Sequence, residues 1–119
     1  MNPPMQGLRI LIVEDEPLIA MMLEDFVDAL GHQPVGSADS VASATLLVEQ
    51  GEFDVCILDV NLRAGERAWP LASALKAANK PFLIATGGQT EPFPAEHNDA
   101  PTLAKPYTMD DVRAALAGL

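Results

Sequence analysis

Val55-Cys56-Ile57-Leu58-Asp59-Val60-Asn61-Leu62 decides the fold. Four apolar residues run into a single aspartate, and Val60 and Leu62 follow it. A short continuous apolar run bounded by polar residues suits a strand buried on both faces, at the centre of a parallel sheet. An ionised carboxylate is costly in such a place unless the strand ends at an open edge beside a partner charge. Asp59 is therefore expected at the carboxyl end of a central strand, where open α/β sheets hold their ligands. Taken alone, the segment equally allows Asp59 to cap the strand and face water.

Upstream, Leu8–Val13 (LRILIV) is a second apolar run rich in branched residues and reads as the first strand. Glu14-Asp15-Glu16 ends it, and Pro17 opens a helix at the turn where a missing N–H costs nothing. Ile19, Met22, Leu23, Phe26 and Leu30 recur at helical spacing, and Gly31 supplies the stop. Pro34–Ser37 is a weak strand that its proline places near an edge. Ser40 caps a helix from about Val41 to Gln50, which Gly51 ends. Downstream of Asp59, Arg63–Arg67 is a polar loop and a helix runs from about Ala68 to Asn79, with Pro70 in its first turn. Pro81–Thr86 is another buried strand ending in a polar residue. Gly87–Ala100 holds two glycines and two prolines without helical periodicity, and reads as a loop with at most a turn of helix. Thr102–Ala104 is a last short strand, stopped by Lys105-Pro106. Thr108 caps the final helix, with Asp111 three positions on.

This alternation implies one α/β domain over residues 1–119, a doubly wound parallel sheet of five strands with helices on both faces. Right-handed crossovers bring all the strand ends to one edge. Glu14, Asp15, Asp59, Thr86 and Lys105 each lie at or just beyond such an end. They are expected to converge, although they are scattered between positions 14 and 105.

Composition narrows the functions available. Seven basic against seventeen acidic side chains give a formal charge of −10, which opposes direct binding to a phosphate backbone, so nucleic acid is not expected as a partner. The longest apolar run, Leu18–Leu23, is far too short to span a bilayer. The amino end, Met1-Asn2-Pro3-Pro4, lacks the pattern of a signal peptide, so no membrane association is expected and the cytoplasm is the expected location. Cys56, the single cysteine, fits a core residue in a reducing compartment. His32 and His97 have no neighbours suggesting phosphoryl transfer or metal binding, and Trp69 at a helix start reads as a packing residue.

Carboxylates a few ångströms apart repel by roughly 4 kcal/mol per pair at an effective dielectric near 20, which calls for a cation between them. Oxygen ligands of this kind suit Mg²⁺, which often shares a phosphate oxygen. One carboxylate can then act as nucleophile toward a phosphoryl group and form an acyl phosphate. Asp59, central and alone on its strand, is the natural nucleophile. Glu14 and Asp15 would hold the metal, with Lys105 and Thr86 on the phosphoryl oxygens.

The blocks Val13-Glu14-Asp15-Glu16-Pro17, Leu58-Asp59-Val60-Asn61-Leu62, Ala85-Thr86-Gly87-Gly88 and Ala104-Lys105-Pro106-Tyr107 resemble, in order and spacing, the four signature blocks of response-regulator receiver domains. The resemblance covers essentially the whole chain. It implies the flavodoxin-like strand order 2-1-3-4-5 and phosphorylation of Asp59 by a histidine kinase or histidine phosphotransfer protein. It also implies Mg²⁺ binding by Glu14, Asp15, Asp59 and the main-chain carbonyl of Asn61, and a cis peptide between Lys105 and Pro106. Autocatalytic acceptance and loss of the phosphoryl group would be its only chemistry. Ile84-Ala85-Thr86-Gly87 and the poorly helical fourth connection further resemble a proteobacterial subgroup named for a Phe-Ala-Thr-Gly motif.

Three features depart from that pattern. Thr102 stands where many receivers carry a switch aromatic, Gly88 and Gln89 replace larger residues of the subgroup's motif, and the degenerate fourth helix weakens a common dimer surface. Tyr107 is placed either as a substitute sensor or, in preference, as packing between the last helix and the sheet. Because the chain ends at Leu119, output is expected through a downstream protein partner or phosphorelay, with Ile19, Met22, Pro106 and Tyr107 as docking candidates. The alternative within the family is a degenerate receiver that works as an interaction module without phosphorylation. A phosphatase would need a second acid where Asn61 stands. A flavodoxin-like cofactor carrier would need a phosphate-cradling loop where Glu14-Asp15-Glu16 would repel one.

Overall fold

Five short segments pair side by side in a single parallel sheet. A computed structural model describes residues 7–60, 62, 65–86, 101–104 and 107–118. Its strands are β1 (Arg9–Val13), β2 (Gln33–Ala38), β3 (Val55–Asp59), β4 (Phe82–Thr86) and β5 (Thr102–Ala104), hydrogen-bonded in the order β2-β1-β3-β4-β5. Four helices accompany them: α1 (Pro17–Ala29), α2 (Val41–Gln50), α3 (Trp69–Ala77) and α4 (Met109–Ala117). This is the expected doubly wound architecture, with β3 at the centre and all five of its residues buried. The expected irregular connection at 87–100 lies outside the described residues.

Side-chain alternation along the strands divides the core into two layers. Ile10 and Ile12 of β1, Val55 and Ile57 of β3, and Leu83 and Ala85 of β4 pack with Leu23 and Val27 of α1 and Val112 and Leu116 of α4. Leu11, Val13, Cys56 and Leu58 face the other way, onto Ala44 and Val48 of α2 and Leu71, Ala72 and Leu75 of α3. A strand filled on both faces has no polar side, which is why β3 and β1 read as unbroken apolar runs. Tyr107 is buried in the α1/α4 layer and Trp69 packs on the α2/α3 layer, both as the sequence indicates. Cys56 is fully buried, and burial pushes its thiol pKa well up.

The ends of the helices are specified locally. Gly31, at φ 89°, closes α1 in a Schellman arrangement: its N–H donates to Asp28 O and that of His32 to Val27 O. Asn79 plays the same part after α3 at φ 57°, with Asn79 N–H donating to Lys76 O and Lys80 N–H to Leu75 O. Reciprocal capping boxes, Ser40 with Ser43 and Thr108 with Asp111, open α2 and α4. Pro34 lies on the edge strand, and the β1–β2 register slips at Val35, next to it. Among the described residues no helix is long and apolar enough to cross a membrane.

Candidate functional site

The pairing register brings the acidic residues together. Val13 is opposite Leu58, so Glu14, one residue further, comes level with Asp59, the last residue of β3. On the other side Asp59 faces Ala85, and Thr86 ends β4 one step beyond. One oxygen from each of Glu14, Asp15 and Asp59 lies within 4.8 Å of the others. Three of the six expected site residues thus form a cluster at the carboxyl edge of the sheet, with Thr86 half-buried at the adjoining strand end. Asn61, Lys105 and Pro106 lie outside the described residues, as do Gly88, Gln89 and His97.

The three carboxylates differ in exposure and in how they are held. Glu14 and Asp59 are 3% and 6% exposed, whereas Asp15 is half-buried. The Glu14 N–H donates to Ala38 O at 2.9 Å, which continues the β1–β2 ladder one residue past the strand. Its Oε2 accepts the N–H of Glu16 at 3.1 Å. Glu16 is the N-cap of α1 and has no cap from its own side chain, so Glu14 supplies an acceptor, and a negative charge, at the helix N-terminus. The tight turn through Pro17 is what lets a strand-end carboxylate reach back to the helix it precedes.

At separations up to 4.8 Å three carboxylates repel strongly, by roughly 3–4 kcal/mol per pair at an effective dielectric near 20. All three donors are hard oxygens, the set that suits Mg²⁺ or Ca²⁺ rather than a thiophilic metal. Cys56 and His32, the described soft or imidazole donors, are not part of the cluster. The residues present therefore fit a divalent, oxygen-preferring cation. Glu14 and Asp15 also line an open cleft of about 320 Å³, with Pro17 and Ala20 on one wall and Ser37, Ala38, Asp39 and Ser43 on the other.

The loop that follows Asp59 is tied down at its base. Val60 N–H donates to Ala85 O and Val60 O accepts from Ala68 N–H, while Leu62 N–H donates to Glu66 O. The Glu66 side chain extends further, its Oε1 accepting the Val41 N–H at 3.1 Å. Sequence reading missed Glu66 and Asp39. Asp39 directly precedes a recognisable N-cap, a signal that could have placed it near this edge. Glu66 meets Val41 across 25 residues, a contact that no local pattern encodes.

The profile of the family described as response regulator receiver domain matches residues 10–117. The chain belongs to that family. Curated relatives of the receiver include the phyllosphere-induced regulator PhyR of Methylorubrum extorquens, 33% identical over 92% of this chain and 42% of PhyR. Another is the transcriptional regulatory protein TcrA of Mycobacterium tuberculosis, 31% identical over 95% of this chain and 46% of TcrA. The receiver thus spans less than half the length of either. Among solved structures, SdrG from Sphingomonas melonis Fr1 is 53% identical with a TM-score of 0.84, covering 97% of both chains. A BeF3-activated conformation of SdrG is 55% identical with a TM-score of 0.79, over 93% of this chain and 95% of that one. Receivers of this kind are parts of two-component signalling systems, and the two-sided flavodoxin-like sheet is their fold.

Proposed function

We propose that this receiver accepts a phosphoryl group on Asp59, in the presence of Mg²⁺, from a histidine kinase or histidine phosphotransfer protein. Output would follow through a protein contact or by relay of the group. The observation that carries the reading is the convergence of Glu14, Asp15 and Asp59 within 4.8 Å at the carboxyl edge of the sheet. The BeF3-activated conformation of SdrG, a protein 55% identical, supports it.

In this reading Glu14 and Asp15 hold the cation together with Asp59 and the carbonyl of Asn61. The cation, when bound, supplies positive charge to the phosphoryl oxygens. An oxygen of Asp59 attacks phosphorus and forms the P–O bond as the P–N bond to the donor imidazole breaks. The electron pair returns to that nitrogen. Thr86, at the end of β4, and Lys105, next after β5, would offer a hydroxyl and an ammonium to the transferred oxygens. The docking face is better placed on Leu18 and Met21 than on the Ile19 and Met22 expected from sequence. Ile19 and Met22 pack against the core, while Leu18 and Met21 are 80% and 59% exposed on the first turns of α1, beside the carboxylates.

Incubation with Mg²⁺ and acetyl phosphate, followed by intact-mass spectrometry, tests the chemistry. One added phosphoryl group is expected in the wild type, and none in Asp59→Asn or in chelator. Addition that persists in Asp59→Asn would reject Asp59 as the acceptor.

A further inference from the structure

We infer that Asp39 is a specificity-determining residue for the phosphodonor. Its charge opposes small anionic donors and leaves the site to those that release a neutral nitrogen base, as a phosphohistidine does. This rests on the reading of Asp59 as the phosphoacceptor. Half-buried Asp39 lines the open cleft of about 320 Å³ together with Glu14 and Asp15. One oxygen from each of those two residues lies within 4.8 Å of one from Asp59. A compact space of that volume is about 7–9 Å across, less than the Debye length of about 10 Å at 0.1 M salt. A charge on its wall therefore acts across it, on whatever approaches the carboxylates.

The backbone is fixed on both sides of Asp39. Ala38, before it, accepts the N–H of Glu14 at 2.9 Å, and Ser40, after it, is the N-cap of α2 in a reciprocal box with Ser43. No lysine or arginine is among the described residues that line the cleft. Two small donors differ in how they meet this charge. Acetyl phosphate arrives as a dianion and phosphoramidate, in its zwitterionic form, as a monoanion. With either, an Asp59 oxygen forms the new P–O bond. Acetate leaves with the electron pair of the broken P–O bond and stays anionic. The nitrogen of phosphoramidate, already protonated, leaves with the pair of the P–N bond as neutral ammonia. A fixed negative charge beside the site therefore disfavours the first reaction more than the second.

Phosphorylation rates from the two donors, at fixed Mg²⁺, are measured by intact-mass spectrometry for the wild type, Asp39→Asn and Asp39→Glu. A change in fold or in cation affinity acts on both donors alike, so the ratio of the two rates isolates the charge. Asp39→Asn is expected to raise the ratio of acetyl phosphate to phosphoramidate by about two- to fivefold, the effect of one charge at this range. The gain should shrink at high salt, and Asp39→Glu should keep the wild-type ratio. An unchanged ratio in Asp39→Asn overturns the inference and leaves Asp39 as a charge favourable to the N-terminus of α2. An equal rise in Asp39→Glu, or one indifferent to salt, overturns it too, because shape and not charge would then be responsible. Asp59→Asn is run beside them. Labelling of that variant, or none of the wild type by either donor, rejects the acceptor reading itself and the inference with it.

Discussion

His32 is buried at the edge of the sheet opposite the carboxylates, 7% exposed, where its Nδ1 accepts the N–H of Leu8 at 3.3 Å. Burial holds its pKa below the usual 6.5. The unfolded chain therefore takes up a proton before the folded one does. His32's contribution is complete above pH 6.5 and is lost as the pH falls from there through the lower folded value. Chemical denaturation between about pH 7 and 5 should show stability declining with acid, above the carboxylate range. His32→Asn, which keeps a side-chain acceptor at a similar reach for Leu8, should flatten that slope. A slope unchanged in the variant would assign the decline to other groups. The same contrast explains what could be read residue by residue. Asp59 stood out because one carboxylate ended an apolar run, a local conflict with only a few physical resolutions. The roles of His32 and Glu66 depend on partners 24 and 25 positions away, and nothing near either residue in sequence points to them.

Elements were legible where their ends carry their own chemistry. The glycine after α1, the serine before α2 and the threonine before α4 each fulfil the role that their side chain, or its absence, permits. Edge strand β2 was legible from Pro34, but its bulge was not, because the slip at Val35 depends on the pairing with β1. Helix phase was legible from the spacing of Ile19, Met22, Leu23, Phe26 and Leu30, which all face the core; the choice of Ile19 and Met22 as docking residues ran against that phase, and Leu18 and Met21 are the ones left outside. Two substitutions test this scale. Ser40→Ala removes the oxygen that accepts the Ser43 N–H at 3.2 Å and should cost about 1 kcal/mol in urea unfolding. Gly36→Ala goes the other way. A Cβ there would meet Leu11 and Leu47 at 3.7 Å, ordinary contact distances, in a strand position without positive φ. The variant should gain about 0.4–1 kcal/mol, chiefly by restricting the unfolded chain. A loss at position 36 would show that the bulged edge needs glycine for its backbone rather than for space.

Among the described residues, opposite charges meet at one end of the strands and three carboxylates gather at the other. At the amino edge the opposite charges meet: Arg9 pairs with Asp54 at 3.2 Å, holding that carboxyl below its usual pKa. Lys80 Nζ donates to the carbonyls of Gly51 and Phe53, the first of them at the C-terminus of α2, and lies over the Phe53 ring. At the carboxyl edge Glu14, Asp15 and Asp59 crowd together in a chain of net charge −10. The three carboxylates repel one another, and a divalent cation between them would turn that repulsion into attraction. Thermal unfolding can read this directly. Mg²⁺ at about 100 times its dissociation constant should add about 2.7 kcal/mol to the wild type, a shift of several degrees in Tm. NaCl at matched ionic strength should give much less, because screening weakens the repulsion without replacing it by attraction. Asp59→Asn removes one of the three charges while keeping the shape of the side chain. It should gain little from Mg²⁺. Equal Mg²⁺ stabilisation of both proteins would place the cation elsewhere on the acidic surface and remove the electrostatic reason for the cluster.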